Sequence, residues 1–214
     1  RQYANTVEEF GKGYGISKSV ISRKTVEATA EELRTLCERD LSRLDICVLV
    51  IDGVHVAETV HIVALGVDTS GKKHILGVRQ GATENSQVCT ELFEEMEQRG
   101  LHAERAVLVV IDGSKALRSA VDRFFGKRAV LQRCQFHKCS NVLQHLPDRY
   151  HAEYARKIHS AYSMTSYDDA KRVLEMTIEQ LQRINESAAR SLEEGLEETL
   201  TVHRLQLPGI LRKS

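Results

Sequence analysis

Apolar positions change their spacing twice along the chain. From Ala4 to about Glu38 they recur with a helical period, broken by Gly11, Gly13 and Gly15. This spacing predicts a helix over Thr6 to Tyr14, a glycine turn, and a second helix opened by Ser17 whose Val20 and Ile21 face inward, the form of a helix-turn-helix. The polar face then carries Lys18, Ser19, Ser22, Arg23 and Lys24, which together with Ser17 suit phosphates and base edges in a major groove. An ordinary helical hairpin with a solvated face fits the same pattern.

From Asp45 the period becomes that of strands. DICVLVID is a continuous apolar run of the kind buried on both faces, and VHIVALGVD and HILGVR follow it. Only VHVAE and TSGKK separate these three runs, and a parallel crossover needs about a dozen residues, so they are expected to form an antiparallel meander. Thr83 then caps a helix in which Val88, Leu92 and Met96 recur at every fourth position beside Phe93, ending at Gly100. That helix returns the chain to AVLVVID, a strand free to lie parallel to the first. A helix (Ser114 to Phe125), a strand (Ala129 to Gln132) and a helix (Gln135 to Leu146) follow.

The predicted fold class is α/β: a ribonuclease H-like mixed sheet of three antiparallel strands followed by parallel strand-helix units. A doubly wound sheet would need a helix between the first two strands, where there is no room for one. Beyond Pro147 the pattern is helical, with no strand candidate before TLTVHRL. The expected divisions are a helical DNA-binding region at 1–44, an incomplete catalytic core at 45–146 and a helical insertion lobe at 147–214.

Charge adds a local feature rather than a global one, since thirty basic residues balance thirty acidic ones. Between Lys115 and Arg149, however, lie Lys115, Arg118, Arg123, Lys127, Arg128, Arg133, Lys138 and Arg149 against Asp122 and Asp148 alone. Such a stretch suits a nucleic-acid backbone, although a charged helix face is more often simply solvated. The five cysteines are scattered and odd in number, and no apolar run is long enough to span a bilayer. A cytoplasmic location away from membranes is expected.

Candidate chemistry lies in a phrase written twice. VLVIDG at Val48–Gly53 returns as VLVVIDG at Val107–Gly113, each copy placing an aspartate at the carboxyl end of an apolar strand. Functional groups collect at that edge of a parallel sheet. If the two strands are neighbours, Asp52 and Asp112 form a carboxylate pair of the kind that holds magnesium together with water and phosphate oxygens. An Asp-Gly pair after a strand is also ordinary turn chemistry, but turns have no need to match each other. Asp68, at the opposite edge of the meander, reads as structural. In QRCQFHKCSN, Cys134, His137 and Cys139 are zinc-type ligands without a second knuckle. The other reading is that Cys134 and His137 support the carboxylate edge where a strand becomes a helix.

Taken together, GISKSVISR, ERDLSRLD, IDG at Ile51–Gly53, VALGVD with GATEN and the RGL of Arg99–Leu101, VVIDG, RCQFHKCSN and SLEEGLEETLTVHRLQLP resemble the Mutator-like transposases of bacterial insertion sequences. The resemblance covers nearly the whole chain. It implies a DDE-type recombinase that cuts and rejoins double-stranded DNA, acting on terminal inverted repeats and on target, with two Mg2+ or Mn2+ ions in the complete site and a homo-oligomer assembled on DNA. Carried over by position, Asp52 and Asp112 are the catalytic and metal-binding aspartates, Cys134 and His137 the supporting C-x2-H pair, and Lys115 and Arg118 join the helix-turn-helix residues as DNA contacts. The family's closing glutamate falls after the segment matching LPGILRKS. The chain as given, which begins without methionine, is therefore expected to lack that residue and strand-transfer activity. A non-enzymatic DNA-binding regulator and an aspartate-nucleophile phosphohydrolase are the alternative functions; the latter usually wants an acid where Val54 stands.

Overall fold

The computed structural model describes residues 31, 34–56, 59–81, 86–102 and 105–207. The expected helix-turn-helix, with Ser17, Lys18, Ser19, Ser22, Arg23 and Lys24, lies outside them, as does the expected helix cap Thr83.

The expected meander is present. Strands β1 (Ile46–Val56), β2 (Thr59–Asp68) and β3 (Lys73–Gly81) pair antiparallel in sequence order. Strand β4 (Val107–Ile111) then pairs parallel with β1, and β5 (Ala129–Arg133) parallel with β4. The result is a mixed five-stranded sheet in the order β3-β2-β1-β4-β5. One boundary differs from the sequence reading. Strand β1 does not stop at Asp52 but runs through Gly53 to Val56, pairing Asp52 with Val63 and Gly53 with Ile62. Most of VHVAE is therefore ladder, which a two-residue connection between antiparallel strands allows.

Both faces of the central strands are covered, which is why their sequences are apolar without alternation. On one face Leu49, Ile51, Val109 and Ile111 pack against Leu92, Phe93 and Met96 of α1 (Ser86–Gln98) and Leu117, Val121 and Phe125 of α2 (Lys115–Phe125). Phe93 stacks on Phe124 and meets Phe125 edge-on, with centroids 5.1 and 5.6 Å apart. On the other face Val48, Leu108 and Val110 meet Val202, which arrives from far along the chain.

That arrival corrects one expectation, that the late helices form a lobe separate from the sheet. The helices α3 (Gln135–Gln144), α4 (His151–Ser163), α5 (Tyr167–Gln182) and α6 (Glu186–Glu193) build a second apolar cluster around Leu174, Ile158 and Leu192. TLTVHRL is not a strand but helical, as expected for this part of the chain, and is divided between α7 (Leu196–Thr199) and α8 (Thr201–Arg204). Nor does the helical segment stand apart from the sheet, because α7 and α8 dock on edge strand β5. Thr201 Oγ1 donates to the Leu131 carbonyl at 2.7 Å, and the Val202 amide donates to Gln132 Oε1 at 3.0 Å. Gln132 and Gln135 both donate to the Thr199 carbonyl, at 2.9 and 2.8 Å. Side chains thus tie α7 and α8 to the edge of the sheet: the Thr201 hydroxyl bonds the β5 backbone, and the buried amides of Gln132 and Gln135 bond the backbone of the docked segment. No helix among the described residues is long and apolar enough to cross a membrane.

Candidate functional site

Two aspartates are brought together by register. In the parallel pairing of β1 with β4, Val50 lies opposite Val110. Asp52 and Asp112, each two residues further on, therefore occupy equivalent positions on neighbouring strands, whose backbones run about 5 Å apart. Both follow the alternation of Val48, Val50, Leu108 and Val110, so they belong to the face that Val202 covers lower down.

The two carboxylates are held differently. Asp112 closes β4, and its Oδ1 accepts the amides of Gly113 and Ser114 at 2.6 and 2.8 Å. One oxygen is therefore tied to the backbone, while Oδ2 has no hydrogen bond among the described residues. Ser114 then caps α2, its hydroxyl accepting the Leu117 amide at 3.3 Å. Asp52 sits within a continuing strand, with its side chain 44% exposed.

Cys134 and His137 complete this edge. The Cys134 amide donates to the Ile111 carbonyl at 2.7 Å, carrying the β4–β5 ladder one step further before α3 begins. Burial first, and the negative charges of Asp52 and Asp112 after it, push the Cys134 thiol above its ordinary value, while the amides of His137 and Phe136 pull the other way. The thiol stays protonated and apolar. One helical turn on, His137 Nε2 lies 3.7 Å from Asp52 Oδ1, too long for a hydrogen bond but close enough for charge to be felt. Its Nδ1 is buried without a hydrogen-bond partner among the described residues. Cys139 does not join them. It packs in the helical cluster, its sulfur 3.8 Å from His159 Nε2, and burial raises its thiol to about 11. Cys134, His137 and Cys139 therefore do not converge as zinc ligands.

Among the described residues no group of three or more His, Cys, Asp or Glu side chains is placed to hold a metal ion. Two carboxylates, one with an unengaged oxygen, are nonetheless a donor set that magnesium or manganese accepts when water and phosphate oxygens fill the remaining positions. Asp68 is elsewhere. It pairs with Ile46 at the opposite end of β1, and accepts from Ser70 and Lys72 and from His74 Nε2 at 2.7 Å within the β2–β3 turn.

The basic stretch is not one surface. Lys115 and Arg118 are exposed on α2, next to Asp112, but Arg118 is paired with Asp122 at 3.1 Å and Glu198 at 2.5 Å. Arg133 and Lys138 are buried and point into the helical segment. Lys138 Nζ donates to the carbonyls of Ser191 and Glu194 at 2.6 and 2.7 Å, and burial lowers its pKa to about 8. The sequence reading counted both as surface charge. The available signal was the polar run QRCQFHK crossing the end of a buried strand, where such side chains persist only with partners.

The sequence comparisons agree with one another. The profile described as "Transposase, Mutator family" matches residues 1–211. The chain is 32% identical over 176 residues to the transposase for insertion sequence element IS6120 of Mycolicibacterium smegmatis, covering 79% of this chain and 53% of that protein. It is 27% identical over 202 residues to the transposase for ISRM5 of Rhizobium meliloti (strain 1021), covering 90% of this chain and 49% of that protein. With the transposase for IS256 in transposon Tn4001 of Staphylococcus aureus it shares 27% over 208 residues, covering 92% of this chain and 52% of that protein. The chain spans about half the length of these relatives. With a matching profile that runs almost from end to end, the chain belongs to the Mutator family of transposases.

Proposed function

We propose that the chain carries two of the three carboxylates of a DDE-type transposase site, set in a ribonuclease H-like core at 45–146 between a DNA-binding region at 1–44 and a helical insertion lobe at 147–214. The carrying observation is that Asp52 and Asp112 occupy matched positions on adjacent parallel strands. The substrate is double-stranded DNA. Water attacks phosphorus at a transposon end and the bond to the 3′ oxygen breaks; the freed 3′ hydroxyl then attacks a target phosphodiester and displaces its 3′ oxygen. Homo-oligomers bring the two ends together.

Asp52 and Asp112 would hold Mg2+ or Mn2+, which supplies charge to the attacking and leaving oxygens of such an in-line displacement. The backbone clamp on Asp112 Oδ1 fixes that carboxylate before DNA arrives, so little rearrangement is left for the reaction itself. His137 can turn its Nε2 from Asp52 towards a phosphate oxygen, and the Cys134 thiol, near enough to feel both acids, adds no charge to the site. We assign no third carboxylate among the described residues. Glu194 is engaged by Arg133 and Lys138, Glu197 by Lys171 and Tyr167, Glu198 by Arg118, and Glu186 by Arg190.

The test is transposition of the element encoding this chain, scored in cells as excision and reinsertion. Asp52→Asn and Asp112→Asn should each reduce both to background at unchanged protein level. Excision at the wild-type rate in either variant rejects the assignment and favours a DNA-binding regulator.

A further inference from the structure

Arg133 stands at the junction of the site and the helical segment, and nothing in the two-aspartate reading requires it. It is 9% exposed at the end of β5. Its Nε donates to the backbone carbonyl of Asp112 at 3.3 Å, one guanidinium nitrogen to the carbonyl of Glu194 at 3.2 Å, and the other to the Glu194 carboxylate at 3.4 Å. Two glycines make room for it. A Cβ on Gly113 or on Gly195 would run into the guanidinium, and both residues have positive φ, 142° and 69°. A substitution at either is therefore strained as well as crowded. Lys138 grips the same Glu194 carbonyl from α3.

The segment 133–138 is thus two-sided. Cys134 and His137 turn to the carboxylates, while Arg133 and Lys138 turn to the end of α6. Of these two cations only Arg133 reaches both sides. The peptide whose carbonyl it holds is the one linking Asp112 to Gly113, and the Gly113 and Ser114 amides clamp the Asp112 carboxylate. Rotating that peptide would swing its N–H away from Oδ1.

We propose that Arg133 is a positioning residue for Asp112: by bonding the Asp112 carbonyl and the Glu194–Gly195 turn together, it lets the helical segment set the orientation of a site carboxylate. A planar guanidinium presents its donors in a fixed fork spread over several ångströms, so it spans the Asp112 carbonyl and the Glu194 turn at once, whereas an ammonium offers all its donors from a single point. The proposal deepens the metal-site reading above, and the reading supplies only its second measurement.

The first measurement is amide hydrogen exchange in the metal-free chain. Arg133→Lys and Arg133→Ala should speed exchange at Gly113 and Ser114 by about tenfold or more while leaving β4 and the middle of α2 protected, a local opening rather than global loss of stability. The second is Mn2+ affinity from the free-ion electron paramagnetic resonance signal. Supporting partners of metal ligands typically contribute about 10–100-fold in affinity, so both variants should weaken Mn2+ by a factor in that range. Glu194→Gln, which keeps the carbonyl contact, should stay near wild type in both assays. Unchanged exchange at Gly113 and Ser114 in folded Arg133→Lys overturns the proposal, and so does Mn2+ affinity equal to wild type in that variant. Should wild type bind no Mn2+ at all, the metal reading fails and the exchange result alone decides the role of Arg133.

Discussion

At the residue scale, three aspartates that look alike on paper are separated by what their oxygens meet. Asp112 has one oxygen satisfied by backbone amides, Asp52 faces His137, and Asp68 is consumed by its own turn. The Ser70 hydroxyl first, and His74 after it, hold the Asp68 carboxyl well below the usual carboxylate range. A folded-state pKa lowered in this way adds stability above the unfolded value of about 3.9, and that stability is lost as pH falls below it. Asp68→Asn should therefore be less stable than wild type at neutral pH and lose less on acidification from about pH 5 to pH 2. Urea midpoints across that range measure it, and parallel curves for the two proteins would contradict it.

At the element scale, the start of α2 links chemistry to packing. Ser114 donates its amide to Asp112 and accepts the Leu117 amide on its hydroxyl, so one residue serves the carboxylate clamp and the helix cap. Ser114→Ala should cost about 1 kcal/mol of unfolding free energy by urea denaturation, the usual value of a lost cap, because the backbone amide that serves Asp112 is retained. A loss under a few tenths would mean that the cap contributes nothing here. Glutamine is the informative residue on the neighbouring edge strand, where Gln132 pairs with Val110. Gln132 and Gln135 hold α7 and α8 against the sheet through bonds that no hydrophobic period announces.

At the scale of the whole molecule, the balanced net charge conceals a division of labour among the basic residues. Arg133 and Lys138 bind the helical segment to the site edge, whereas Lys115 and Arg123 project from α2 into solvent and Arg118 is shared with Glu198. If DNA passes over α2, Lys115→Ala and Arg123→Ala should each lower the log–log salt slope of DNA binding by about 0.9 for every phosphate left without its cation. Arg118→Ala should change it less, because its charge is already partly neutralised. Binding titrations between about 50 and 200 mM salt decide this, and an unchanged slope in the Lys115→Ala, Arg123→Ala double variant removes α2 from the interface.

The local code along the chain was sufficient for strand direction, for a repeated aspartate on two apolar strands and for the family. Each depends on neighbours within one element or on a connection too short to allow another path. The sequence did not show that β1 continues past Asp52, because Asp-Gly reads as a turn until a partner strand pairs with it. Nor did it show that Arg133 and Lys138 are buried, since a guanidinium or ammonium enters the interior only when carbonyls from a distant segment receive it. Those carbonyls, of Ser191 and Glu194, lie more than fifty residues away in sequence. Tertiary structure decided what met across that distance: two aspartates placed side by side by strand register, and an arginine that bonds one of them to the helical segment.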